Sequence, residues 1–136
     1  MAARSKARRR AVDILYEAEV RGRDRVDLLR ERLSDPETPP VADHTVRLVE
    51  GVAEHAARID ELIDRHAHGW SIDRLPDVDR AILRMAVFEL LWVDDVPDPV
   101  VIDEAVGLAR SLSTDDSPPY VNGVLGAILD AEVPTS

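Results

Sequence analysis

Apolar residues recur along this chain at intervals of three and four, the period of an amphipathic helix rather than the alternation of a strand. Ala7, Ala11, Ile14, Leu15 and Ala18 form one such stripe, and Gly22 stands where that helix would stop. Val26, Leu29 and Leu33 predict a short second helix, after which Pro36, Pro39 and Pro40 make a stiff loop. Asp43 is placed to cap a third helix. Its stripe, Val46, Val49, Val52 or Ala53, Ala56, Ile59 and Ile63, runs on toward Gly69. Periodicity lapses from Ala67 to Leu75, around Gly69, Trp70 and Ser71. That lapse predicts two lobes, residues 1–68 and 69–136, within one compact domain.

Pro76 suits the first turn of a helix bearing Val78, Ile82, Met85, Ala86 and Leu90. Asp98 followed by Pro99 reads as a cap and a proline at the first helical position, opening a helix with Ile102, Ala105, Val106, Ala109 and Leu112. Ser117 and Pro118 repeat the device before Val121, Val124, Leu125 and Ile128. Val100, Val101 and Ile102 are apolar in a row but sit inside the better helical pattern. The expectation is an all-α protein of six or seven helices in two small bundles.

Composition narrows the function. With 136 residues, 45% of them hydrophobic, the chain has enough apolar surface for a core of its own. The absence of cysteine excludes disulfides, thiolate metal sites and cysteine catalysis, and fits a reducing compartment. No signal-peptide core follows the first residues and no run of about 18 apolar residues exists, so a soluble, cytoplasmic protein is expected.

Charge is distributed unevenly. Of the 17 Lys and Arg, Arg4, Lys6, Arg8, Arg9 and Arg10 lie in the first ten residues, whereas all 27 Asp and Glu lie beyond them. A concentrated cationic patch attracts phosphate even on an anionic molecule. Because only one of the 17 is lysine, the choice of arginine is weak evidence and the clustering is the better evidence. On a helical wheel Arg4 and Arg8 flank the apolar stripe, while Lys6, Arg9 and Arg10 point away from it. Cations at a helix N-terminus oppose the macrodipole, by about 0.3–1 kcal/mol for each well-placed charge. Two readings stand: a solvated terminus, or a phosphate-binding arm using arginine for bidentate contacts and stacking.

Other constellations carry little. His66 and His68, or Glu50 and Glu54, lack the third and fourth convergent ligands a metal needs, so no metal and no cofactor are expected. Gly123 and Gly126 have the spacing that lets helices approach; no phosphate-binding glycine loop is present. Trp70 and Trp92 are expected to pack against helices. The carboxylates show no acid–base pairing, and no catalysis is expected.

The order of several short pieces is more telling: Asp79-Arg80-Ala81-Ile82-Leu83-Arg84, Phe88-Glu89-Leu90, Asp95-Val96-Pro97, Ile102-Asp103-Glu104-Ala105, Leu108-Ala109-Arg110 and Tyr120-Val121-Asn122-Gly123-Val124-Leu125. Over these fifty residues the chain resembles the carboxy-terminal half of the NusB family of transcription antitermination factors. Ala7 to Tyr16 resembles the family's first helix, and residues 24–68 match only as a helical pattern. The resemblance implies a NusB-like fold of two small perpendicular three-helix lobes. It implies binding to the boxA-type single strand of nascent ribosomal RNA, together with the ribosomal protein NusE, in the RNA polymerase antitermination complex. Some members are instead homodimers.

Carried over position by position, the family's basic lead-in falls on Arg4, Lys6 and Arg8. Arg9 stands where many members have an acid, and Arg10 adds charge beside it. Tyr120 falls on an aromatic position beside the RNA, where a ring is either a stacking face worth about 1–3 kcal/mol per base or a half-buried anchor of the last helix. Asn122 is either part of the RNA surface or a buried amide at a helix junction. Asp115, Asp116 and Ser117 fit the family's acidic lead-in, or serve as caps. Pro118 and Pro119 replace polar residues of many relatives and remove two backbone donors. The acidic, partly apolar surface of the second lobe is expected to take the protein partner. Two alternatives accompany this reading: the helical accessory domain of a ribosomal-RNA cytosine methyltransferase, which needs a following Rossmann-type domain and a catalytic cysteine, and a homodimer with its basic arm masked.

Overall fold

The computed structural model describes residues 2–67 and 71–132. His68, Gly69 and Trp70 lie outside the described residues, and with them the packing expected of Trp70 and half of the His66–His68 pair. The described residues form α1 (Ala3–Arg21), α2 (Arg25–Ser34), α3 (Asp43–Glu54), α4 (Ala56–His66), α5 (Asp77–Trp92), α6 (Asp98–Leu112) and α7 (Ser117–Glu132), with a 3-10 turn at Ile72–Arg74. No strand occurs among them. The all-α expectation stands.

Local chemistry sets the helix ends. Gly22 adopts φ 64°, a left-handed conformation that costs glycine little, and the Arg23 N–H turns back to the Ala18 carbonyl at 2.8 Å. Asp24 then caps α2, its carboxylate accepting from the Val26 and Asp27 amides, both at 3.0 Å. Asp43 does not cap α3 as expected. It is the first helical residue, and Ala42 occupies the cap without a side-chain bond, so Asp43 acts on the helix dipole instead. Likewise Pro97, not Asp98, takes the cap of α6, because proline's fixed φ suits that position as well as the first turn.

The expected single third helix is two. Its apolar stripe is continuous, but the backbone turns at His55 (φ −107°, ψ 19°). Two contacts fit the turn: Gly51 lets the Phe88 ring lie against its Cα, and the His55 ring stacks on Trp92 with centroids 4.2 Å apart.

α5 is the axis of the molecule. Every residue from Asp79 to Leu90 is buried, with α1, α3, α4, α6 and α7 packed around it. Its apolar side chains join those of all the other helices in one continuous core, and a fully buried Leu, Ile or Met contributes about 1.5–3 kcal/mol. Four buried charged residues share this helix, and burying a charge is costly unless it is paired. Asp79 accepts from the Ser117 hydroxyl at 2.9 Å. Arg80 donates to the Ile72 and Leu75 carbonyls, which hold the 3-10 turn, and pairs with Glu19 at 2.9 Å. Arg84 reaches Asp60 at 2.8 Å and Glu19 at 3.0 Å. Glu89 receives Arg8. The central helix thus ties α1, α4 and α7 together by polar contacts as well as by packing.

Candidate nucleic-acid interface

The basic start of α1 is clamped before it is exposed. Arg8 is 2% exposed. Its Nε lies 2.8 Å from Glu89 Oε1 and its Nη2 lies 2.8 Å from Oε2, a fork-on-fork pair. His44 of α3 meets the same Oε2 at 2.9 Å, and Glu104 of α6 lies 3.5 Å from Arg8 Nη1. The Thr45 hydroxyl donates to the Ala7 carbonyl at 2.8 Å, and the Ser5 hydroxyl to Glu104 at 2.5 Å. Arg8, expected among the RNA contacts, is thus buried and paired within the protein. Its guanidinium is consumed inside the protein, where an unpaired Glu89 would be costly.

The remaining cations divide. Arg4 is exposed and pairs with Asp95 at 3.0 Å, with Arg47 on the other oxygen at 3.4 Å. Arg4 holds the Asp95 carboxyl below its ordinary range, and Arg47 adds to that. Lys6 and Arg9 are exposed and Arg10 is half-buried. Among the described residues none of these three forms an ion pair. Lys6, Arg9 and Arg10 all border a groove between α1 and the proline loop, and Arg9 also borders a cleft against α6, with Ser5, Leu108 and Ser111.

Beyond the end of α6, Thr114 and Ser117 line a further cleft of about 260 Å³ with Tyr120, Leu75 and Asp79. Tyr120 is half-buried. Its hydroxyl donates to the Ala67 carbonyl at 3.0 Å, tying α7 to the end of α4, while its ring remains a wall of the cleft. Burial, then the neighbouring Asp79, pushes its phenol above the usual range. Anchor and platform are thus compatible in one side chain. Asp79 Oδ1 is buried and has no hydrogen-bond partner among the described residues. Asn122 is exposed on α7, which excludes the buried-amide reading. Ser117 is buried against Asp79, so it fixes the start of α7 from within.

Glu89, His44, Glu104 and Asp79 are the residues that sequence reasoning missed. The available signal was a carboxylate at position 89 interrupting an otherwise apolar run from Met85 to Trp92.

A buried helical core with one clamped, cation-bearing edge defines a small all-helical protein suited to holding a polyanion. A sequence model of the NusB family matches residues 5–130. The transcription antitermination protein NusB of Saccharopolyspora erythraea is 60% identical over 129 residues, covering 94% of this chain and 87% of that protein. Its counterpart in Beutenbergia cavernae is 56% identical over 138 residues, covering 95% and 90%. Among solved structures, T. maritima NusB superposes with a TM-score of 0.85 at 34% identity, over 98% of this chain and 94% of that one. A crystal structure of the antitermination factors NusB and NusE in complex with dsRNA gives 0.81 at 31% identity, over 94% and 96%. The chain belongs to the NusB family of transcription antitermination proteins. No described helix is long and apolar enough to cross a membrane.

Proposed function

We propose that this protein is an RNA-binding adaptor of transcription antitermination, holding a boxA-type segment of nascent ribosomal RNA together with NusE in the RNA polymerase antitermination complex. It works by binding, with no bond made or broken. The observation that supports the reading is the pairing of an exposed Arg9, which borders a cleft against α6, with a Tyr120 ring that walls a second cleft where α6 gives way to α7.

In this reading Arg4, Lys6 and Arg9 supply the field that captures phosphate, and the Tyr120 ring takes an unpaired base. Asp79 and Asp116 stand in the Tyr120 cleft, so phosphate is disfavoured there and a base N–H is favoured. Asn122 is exposed two residues further along α7, on a different side of the helix from Tyr120, and offers a polar contact outside the cleft. Arg8 positions the arm without touching the RNA, and Arg10 lies off this track, toward the proline loop. Support for a protein-facing side comes from a cleft beside Trp92, floored by Leu90 and Leu91 and rimmed by Asp94, Asp98 and Glu132.

The test is binding of a boxA-type single strand, measured by fluorescence anisotropy across a salt series, with and without NusE. The affinity should fall with a log–log slope of about −0.7 for each phosphate neutralised. A slope near zero would overturn the proposal. A duplex of the same sequence, run in parallel, should bind more weakly, because paired bases cannot reach the Tyr120 ring.

A further inference from the structure

We propose that a second stretch of the same RNA strand lies in the groove between the start of α1 and the proline loop, with its phosphates on Lys6 and Arg10 and a base or ribose against Pro39 and Pro40. The inference rests on the RNA reading above and extends it to a contact surface on the opposite side of Arg9.

The groove measures about 420 Å³, with Lys6, Arg9 and Arg10 on one wall and Pro39, Pro40 and Ala42 on the other. Among the described residues Lys6, Arg9 and Arg10 form no ion pair, and all three line this one groove of a chain whose net charge is −10. Their field is left for a ligand of opposite sign. The facing wall is of a kind that suits a nucleotide. Proline rings are flat-sided and apolar, and proline fixes its own φ. The loop is pinned further by the Thr38 hydroxyl on the Arg32 carbonyl at 3.2 Å and by the Glu37 amide on Asp35 at 2.9 Å. A surface already ordered loses little entropy on binding.

Arg9 borders both grooves, so a strand leaving the Tyr120 track passes from one to the other at a single residue. One acid lines the groove, Asp13. Burial pushes its carboxyl up, against the pull of Arg9 and Arg10. This acid opposes a phosphate there and so provides a handle on the site.

The experiment compares a short boxA-type RNA with the same RNA carrying a uridine tract on its 5′ or its 3′ end, using the full chain in a salt series. Extension at one end should tighten binding several-fold and steepen the slope by about 0.7 for each added phosphate contact. Arg10→Gln should abolish that increment and leave the short RNA unaffected. Asp13→Asn should enlarge it, a gain that misfolding cannot produce. Equal affinity and slope for short and extended RNA overturns the second contact while leaving the first intact, as does an Arg10→Gln loss shared by both RNAs. Displacement of the extended tract by polyglutamate as effectively as by polyuridine assigns the groove to acidic protein and overturns it too. If the folded protein binds neither RNA, the RNA reading itself fails, and this inference with it.

Discussion

Arg8 and Glu89 are 81 positions apart in sequence and share two hydrogen bonds of 2.8 Å, with side chains 3% and 1% exposed. This pair fixes the azimuth of α1. With Arg8 drawn inward, the helix turns Lys6 and Arg9 outward. An arginine expected to bind RNA is thereby placed to aim the others.

Breaking a buried pair leaves a charge without compensation, which costs about 3–5 kcal/mol. Arg8→Ala should therefore lower stability by about that amount in urea-induced unfolding. Arg8→Lys should recover only part, since an ammonium cannot make the two-pronged contact. The double replacement Arg8→Met with Glu89→Leu should be far milder than either single loss. A double variant as unstable as the sum of the singles would show the pair to be uncoupled.

Gly51 is required by the Phe88 ring. A Cβ built on it would overlap the Phe88 ring at Cζ. Gly51→Ala should destabilise the protein by about 1–3 kcal/mol, the usual range for overpacking. Phe88 also stacks near Trp92, with centroids 6.0 Å apart. The near-ultraviolet circular dichroism should change along with the unfolding midpoint. An unchanged aromatic signal would mean that the ring moves elsewhere.

Tyr120 separates two contributions cleanly. Tyr120→Phe removes the bond to the Ala67 carbonyl, at a cost of about 0.5–1.5 kcal/mol of stability, and keeps the ring. Its RNA affinity should stay close to that of the parent. Tyr120→Ala removes the ring as well, and should weaken RNA binding by about 1–3 kcal/mol. Equal RNA affinity for the two variants would remove stacking from the account.

Acid should loosen the contact between α1 and α5. Burial raises the Glu19 carboxyl, but Arg84 and Arg80 outweigh it, and its folded value lies below the ordinary one. A depressed carboxylate contributes stability above its unfolded value, about pH 4.3, and that contribution is lost as pH falls through the lower folded value. Thermal midpoints should therefore drop below about pH 4, and Glu19→Gln should flatten that part of the profile while lowering stability at neutral pH. An identical acid limb in the variant would place the sensitivity elsewhere.

What could be read from the chain, and what could not, follows from the range of the interactions. Gly22 and the stripe from Ala7 to Ala18 announce α1, because capping and helical periodicity are local. The start of α6 falls one residue early, because a proline fits the cap or the first turn equally well. The turn at His55 is silent, since Val52, Ala56 and Ile59 keep their spacing across it and the ring stack on Trp92 lies 37 positions away. Arg8 is the instructive case. A wheel places it at the edge of the apolar stripe, where a long side chain can go either way. Only the distant Glu89 decides the direction. Tyr120 fell between two readings for the opposite reason: its hydroxyl and its ring face different surroundings.

Asp95 offers a test of the arm in the direction of gain. Its carboxylate pairs with Arg4 and Arg47, all three side chains being about half exposed at 46% to 55%. Exposed pairs of this kind contribute little to stability. Their effect on a passing phosphate is larger in proportion, because Asp95 cancels charge at the place where the RNA reading needs it. Asp95→Asn should therefore leave the unfolding midpoint nearly unchanged while strengthening RNA binding at low salt. Releasing Arg4 to one phosphate should also make the log–log slope more negative by about 0.7. Because the effect is electrostatic, the gain should fade as salt rises, the screening length being about 10 Å at 0.1 M. A gain that persists undiminished at high salt would point to a changed conformation of α1 rather than to freed charge. No gain at any salt would place Arg4 off the path of the RNA.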